Sequence, residues 1–281
     1  MKRLYTFGCS VTQFIWPTWA DILGREFDSF ENWGKAGSGN LYIFNSVLEC
    51  IKRNNLTNKD TVIIMWSGIT RVDYYHTNDW QPQGGDFNLV KTDIRGHEII
   101  NFAYMEAIKV ILDKLKIPYK MFSISEFVKD DNVYDFYKNT IDLIEPSGLI
   151  WSNKTISFDK SQIKNSYFFE IIKSNYNRNK GSSWPKFDDY FVNPSIVTDK
   201  KIAEEIKNTV DHFAKGYKIL SSELVIEDSH PGPLEHLRFL QEKLPEFLIS
   251  QYTIAWTKQW NLGIQEKNYI PFATTFPKDR L

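Results

Sequence analysis

Hydrophobic and polar positions follow two periods along the first half of the chain. Leu4 to Gly8 is a short, mostly apolar run closed by glycine, and Asp60 to Trp66 is β-branched and nearly continuous. Runs of that length without a polar face are what strands buried on both sides of a sheet require. Ser29 to Trp33 predicts a second strand between them, and Tyr119 to Ile124 a fourth. Helical spacing separates these runs. Pro17 to Leu23 places apolar residues at helical intervals, with Pro17 suited to a first turn. Asn40 is a candidate cap for a helix through Leu41, Phe44, Val47, Leu48 and Ile51. His97 to Lys116 keeps the same period through Ile100, Phe102, Ala103, Ala107, Val110, Ile111 and Leu115. Strands alternating with helices predict a three-layer α/β/α sandwich around a mostly parallel sheet.

The rest of the pattern is less regular. Thr70 to Arg95 is polar and aromatic, with Pro82 and Gly84-Gly85, and predicts a long loop. From about 125 to 220 the chain is dense in Phe, Tyr, Trp and Asn, with one helical stretch from Asp199 to Phe213. An aromatic-rich insertion or cap on the sheet domain is expected there. Val225 to His230 leads into a helix from Pro233 through Leu244, which Pro245 ends or kinks. Ser250 to Leu281 shows no clear period. The expected organisation is a sheet domain over residues 1–249 and a C-terminal extension over 250–281 that wraps the domain or contacts a partner, another copy or a particle.

Composition narrows the classes. The chain has 281 residues, 42% hydrophobic and 25% charged, which argues against disorder. Its 34 basic and 35 acidic residues leave a net charge of -1, so neither nucleic acid nor an anionic membrane is an expected partner. The run Val62 to Trp66 is too short to span a bilayer. The first residues are basic but lack an apolar segment and a small-residue cleavage site, so no signal peptide is expected. Synthesis is expected in the cytoplasm, and action elsewhere would follow release by lysis or carriage in a virion. Cys9 and Cys50 make neither a disulfide framework nor a zinc site. His76, His97, Asp73 and Asp93 match no metal-ligand spacing, so neither a metal nor an organic cofactor is expected. Aromatic content is the unusual figure: 15%, with nine Trp, which suits core filling and sugar-stacking surfaces alike.

Three segments carry candidate chemistry. Phe7-Gly8-Cys9-Ser10-Val11-Thr12 places a hydroxyl just past a strand's carboxyl end, where open α/β sheets hold their ligands. Taken alone, a serine in such a turn is more often a helix cap. Glu227-Asp228-Ser229-His230-Pro231 offers a histidine base with a carboxylate two or three residues before it, and Pro231 favours an extended His230. Asn32-Trp33-Gly34-Lys35-Ala36-Gly37-Ser38-Gly39-Asn40 is a Gly-rich turn whose N–H groups suit an anion or a developing oxyanion. It lacks Gly-Lys-Ser/Thr and a dinucleotide fingerprint.

In that order along the chain, the three segments resemble the blocks of the SGNH/GDSL hydrolase superfamily. Phe7-Gly8-Cys9-Ser10 is similar to the first block, with Cys9 where the family has Asp, and implies Ser10 as nucleophile. Asn32 with Gly37 resembles the second, implying that the N–H groups of Ser10 and Gly37 bind the oxyanion. Asp228-Ser229-His230-Pro231 resembles the last and implies His230 as base. The family's Asp-X-X-His spacing would select Glu227 as its partner. A spacing of two selects Asp228, which is favoured. The third block departs: the family has Gly-X-Asn, and here Trp66-Ser67-Gly68-Ile69-Thr70-Arg71 lacks Asn. Asn40, Ser67 or Arg71 is left to supply the missing oxyanion donor, whose loss costs roughly 2.7–4 kcal/mol where such donors are removed. Gly-Cys-Ser-X-Thr, Trp-Pro, Gly-X-Gly-Asn and Trp-Ser before an Arg resemble a divergent branch found in phage and bacterial proteins. The resemblance covers roughly the first 75 residues and the stretch around 225–245. It implies an SGNH-like, flavodoxin-like sandwich that hydrolyses an ester of a small molecule or glycan, an O-acetyl group included. Cys9 as the nucleophile is the lesser option. The competing expectation is an SGNH-like binding or structural module with weakened catalysis, for example in a phage particle.

Overall fold

The computed structural model describes residues 2–14, 16–76, 79–83, 94–127, 132–152, 154–159 and 223–265. The chain runs through β1 (Arg3–Phe7), α1 (Trp19–Gly24), β2 (Ser29–Asn32), α2 (Asn40–Asn54), β3 (Asp60–Trp66), β4 (Val72–His76) and β5 (Asp79–Gln83). It continues through α3 (Ile94–Leu115), β6 (Tyr119–Ser123), α4 (Asn132–Ile141), β7 (Ile144–Pro146), β8 (Lys154–Asp159), β9 (Glu223–Asp228), α5 (Pro233–Lys243) and α6 (Gln251–Gln265).

Five strands form one parallel sheet in the order β2-β1-β3-β6-β7. Taken along the chain, that order is second, first, third, fourth, fifth. It is the doubly wound arrangement of flavodoxin-like folds, whose ligand crevice opens where the winding reverses, between the first and third strands. Alternate side chains enter opposite layers. Tyr5, Phe7, Val62, Ile64, Trp66 and Met121 pack with Ile43, Val47, Phe102, Met105 and Ile108 from α2 and α3. Leu4, Ile63, Met65 and Phe122 pack on the other face with Trp19, Ile22 and Leu23 of α1 and Leu237 and Leu240 of α5. This two-sided burial is why β1 and β3 read as near-continuous apolar runs.

Several elements differ from the sequence expectation. Gly39, not Asn40, is the residue preceding α2. The cap is supplied from a distance, because the Asp73 carboxylate of β4 accepts the N–H groups of Gly39 at 2.7 Å and Tyr42 at 2.8 Å. Thr18 caps α1, which leaves Pro17 just outside the helix. Within the expected loop of 70–95, β4 and β5 pair as an antiparallel ribbon with Pro82 opposite Asp73. Each strand of a two-stranded ribbon is an edge, where a missing N–H is tolerated. The expected insertion begins with α4, which packs on α3, and with β7, which completes the main sheet. The helix expected over Asp199–Phe213 lies outside the described residues.

β8 and β9 form a second antiparallel ribbon, with Asp228 opposite Lys154. α5 starts with Gly232 as its cap and Pro233 in its first turn, and packs on α1. Beyond it, α6 occupies residues where no period was expected. The Arg25 guanidinium lies 4.3 Å from the Trp256 ring centroid and 5.4 Å from that of Tyr252, and Ser250 donates through its N–H and its hydroxyl to the Glu26 carboxylate. Among the described residues no helix is long and apolar enough to cross a membrane.

At the amino end of the sheet, the buried Asp60 accepts two bonds from the Arg3 guanidinium, at 2.6 and 2.7 Å, and one from the Thr57 N–H at 2.7 Å. Burial pushes the Asp60 carboxyl up, but the Arg3 and Thr57 donors outweigh it and hold the group below its ordinary range. A depressed folded-state value means that this stabilisation is present above the ordinary carboxylate range and is lost as pH falls through the lowered value. Asp60→Asn is therefore expected to cost roughly 1–3 kcal/mol at neutral pH and to make stability decline less steeply on acidification. Urea unfolding of both forms at several pH values between neutral and acid measures this; parallel curves would overturn it.

Candidate active site

The end of β1 is built for a close approach. A Cβ on Gly8 would lie 2.0 Å from Thr12 Oγ1, so only glycine fits between the strand end and the returning chain. The turn closes at once: the N–H groups of Thr12 and Gln13 both donate to Cys9 O, at 2.9 and 3.0 Å. Ser10 sits inside this turn at the carboxyl edge of β1, beside β3, where the sheet reverses its winding. Cys9 points instead into the apolar layer with Leu4, Val11 and Trp19, so it is a packing residue.

The Gly-rich segment is tied to the same turn. Asn32 donates through Nδ2 to Thr12 O at 2.8 Å and accepts the Gly34 N–H at 2.9 Å. The Lys35 N–H donates to Gly8 O at 3.0 Å. The Ser38 N–H returns to Lys35 O at 3.2 Å, and Gly37 holds a φ of 80°. That positive φ at the third position of the turn is the type II signature and calls for glycine. Gly37 is thus held in a turn docked on the strand end that precedes Ser10.

His230 arrives from the opposite end of the sequence. Past β9, the Ser152 N–H donates to Ser229 O at 3.1 Å and Trp16 Nε1 donates to Pro231 O at 2.8 Å. Phe14 stacks on the imidazole with ring centroids 4.1 Å apart and planes 21° apart, while Trp151 lies tilted at 5.0 Å. His230 Nε2 stands 2.8 Å from Ser10 Oγ. With the neutral ring protonated on Nδ1, the Ser10 hydroxyl donates to Nε2, which is the geometry a general base needs toward a nucleophile. Ser10 is itself only 4% exposed.

Other expected site residues are placed differently. Asn40 lies in the first turn of α2 with its amide fully engaged. Its Nδ2 donates to Ser67 O at 3.1 Å and Asn101 Oδ1 at 2.7 Å, and its Oδ1 accepts the Ser67 N–H at 2.8 Å. Both amide protons are used, so Asn40 joins α2 to the end of β3 and to α3 rather than offering a donor to an oxyanion. Arg71 Nη1 donates to Ser38 O at 3.2 Å. Glu227 and Asp228 are the last two positions of β9, and their side chains lie outside the described set. Asp73 serves the α2 cap; burial pushes its carboxyl above the usual range, against the pull of the Gly39 and Tyr42 N–H donors. Among the described residues no group of three or more His, Cys, Asp or Glu is placed to hold a metal ion.

The solved structure of a member of the lipolytic protein G-D-S-L family from Veillonella parvula DSM 2008 is similar to this chain. The match covers 88% of this chain and 98% of that one, at 11% identity and a TM-score of 0.35. No family model and no curated protein matches. The fold class rests on the strand order of the sheet itself.

Sequence reasoning missed the aromatic setting of His230. Phe14 and Trp16 follow the Ser10 turn directly, so an aromatic pair beside a candidate nucleophile was a visible signal. Trp151 gave none, because nothing in linear spacing connects it to His230. Asn101, whose Nδ2 donates to Ile69 O and His97 O at 3.0 and 2.6 Å, was equally silent in the helical pattern.

Proposed function

We propose that the chain is a serine ester hydrolase of the SGNH/GDSL kind, with Ser10 as nucleophile and His230 as its base. The observation that carries this is the 2.8 Å contact between Ser10 Oγ and His230 Nε2 at the switch point of a doubly wound sheet. Ser10 Oγ bonds to the acyl carbon as its proton passes to Nε2. The tetrahedral adduct then breaks its C–O bond to the alcohol, and the proton moves from Nε2 to the departing oxygen. Water attacks the acyl-Ser10 ester with His230 as base, and the acid leaves as Oγ recovers its proton. The N–H groups of Ser10 and Gly37 stabilise the oxyanion, and Asp228 fixes the imidazole. With the Asn40 amide engaged elsewhere, the third donor of the family falls to Ser67 or Arg71, a contribution of roughly 2.7–4 kcal/mol in barrier where such a donor is present. Within the class, the substrate is an O-acetyl group on a glycan, which the aromatic content of 15% suits.

Labelling with a fluorophosphonate tests the nucleophile directly. Peptide mass mapping is expected to find the adduct on Ser10, and His230→Ala is expected to slow its formation by about 10²-fold or more, since general-base assistance contributes typically 10²–10⁴. An adduct elsewhere, or an unchanged rate without His230, would overturn the assignment.

The burial of Ser10, at 4% exposure, favours a second reading. In it the chain is an SGNH-like binding or structural module, of a phage particle for example, that keeps the constellation without turnover. Absence of labelling in a folded protein that still binds a glycan ester would select it.

A further inference from the structure

The two aromatic neighbours of the His230 ring differ in exposure. Phe14 stacks on it with centroids 4.1 Å apart and is itself buried. Trp151 lies beside it, with its ring centroid 5.0 Å away and tilted by 51°, and 40% of its surface open. A large aromatic side chain left this exposed contributes little to the core. Its backbone is nevertheless fixed on both sides. The Ser147 N–H donates to Ser123 O at 2.9 Å, Arg238 Nη2 donates to Gly148 O at 2.9 Å, and the Ser152 N–H donates to Ser229 O at 3.1 Å. Leu149 is buried in the apolar layer under α5. An exposed tryptophan on a fixed stretch of backbone beside the base is a partly preorganised surface, with only its side-chain torsions left to settle when something stacks on it.

The direction of proton transfer identifies which half of the ester meets it. His230 Nε2 returns its proton to the departing alcohol, so that oxygen has to come within hydrogen-bond reach of the imidazole edge. The body of the alcohol then extends past the imidazole edge, and the exposed Trp151 ring 5.0 Å from that imidazole is within its reach. The acyl group, bonded to Ser10 Oγ, lies on the side of the oxyanion donors. We propose that Trp151 is the platform for the alcohol half of the ester, and that this alcohol carries a flat-faced ring such as a pyranoside. The inference rests on the Ser10–His230 assignment and adds to it the residue that selects the leaving group.

Esters that share one acyl group isolate this choice, because they form the same acetyl-enzyme and differ only in the alcohol. The wild type and Trp151→Ala are compared on methyl 6-O-acetyl-glucopyranoside and on ethyl acetate. The ratio of the two kcat/KM values is expected to fall roughly 3- to 10-fold in Trp151→Ala, the scale of one aromatic contact, and Trp151→Phe is expected to restore most of it. The pH profile should keep its shape, whereas a residue that merely positions His230 would change it. An unchanged ratio, or equal losses on both esters together with an altered profile, would overturn the platform. Binding of the same glucoside by Ser10→Ala and by Ser10→Ala/Trp151→Ala, measured by calorimetry, separates this from failure of the hydrolytic assignment. Binding that is lost with Trp151 supports the platform even where no ester is turned over, and no binding by either variant rejects it.

Discussion

Ser10→Ala is expected to lower kcat for p-nitrophenyl acetate by roughly 10³-fold or more, since nucleophiles of this type lose up to about 10⁶ when removed. The substitution deletes one oxygen, whose hydrogen bond runs to His230 Nε2 at 2.8 Å. The turn around it is held by other atoms: Cys9 O, the Asn32 amide and the Thr18 hydroxyl, which donates to Thr12 O at 2.6 Å. The variant should therefore keep its unfolding midpoint, so that lost activity reports chemistry rather than a collapsed loop. Equal rates in both proteins would remove Ser10 from the mechanism. Cys9 would not inherit the role easily, because it is fully buried in the apolar layer. No activity in either protein would move the weight to the binding module.

What the sequence made visible follows from where each element sits. β1 and β3 are central strands covered on both faces, and that environment favours near-continuous apolar runs that a periodicity search detects. The motif positions Ser10 and His230 stand at the carboxyl edge of this sheet and at the start of a helix that packs on it, so their meeting follows from the topology. α6 was hidden for the opposite reason. Its buried positions are Thr253, Thr257, Trp260 and Asn261, while Tyr252 and Leu262 face solvent. The Thr257 hydroxyl satisfies itself on Thr253 O at 2.8 Å, which lets a polar side chain lie inside. A helix whose inner face mixes Thr253, Thr257 and Asn261 with Ile254, Trp256 and Trp260, and whose outer face is partly apolar, blurs its own signal. β7 was hidden by length, since three residues carry no period. The misplaced role of Asn40 has a further cause. A buried amide beside a Gly-rich turn suits an oxyanion hole and a structural bridge equally well, and only the positions of Ser67 and Asn101 decide between them.

His230→Ala should cost as much as Ser10→Ala, and the double variant should be no worse than either alone. On the proposed mechanism the two groups act in one step: a hydroxyl without a base is a weak nucleophile, and a base without the hydroxyl has no proton to take. Residues that work as a unit show this non-additivity, with one removal forfeiting nearly all that the set provides. Stability must be followed alongside, because the imidazole also packs against Phe14 and Trp151. His230→Gln, which retains more of that packing, serves as the check and should be as slow as His230→Ala while unfolding closer to the wild type. The same series addresses the partner of His230. If Asp228 fixes the ring, Asp228→Asn should approach the loss of His230→Ala, as amide replacement of an orienting carboxylate costs about 10⁴ in a serine protease, and Glu227→Gln should not. Losses that simply multiply in the Ser10→Ala/His230→Ala double variant would mean that the two side chains touch without sharing a proton, and the close contact between them would then be packing alone.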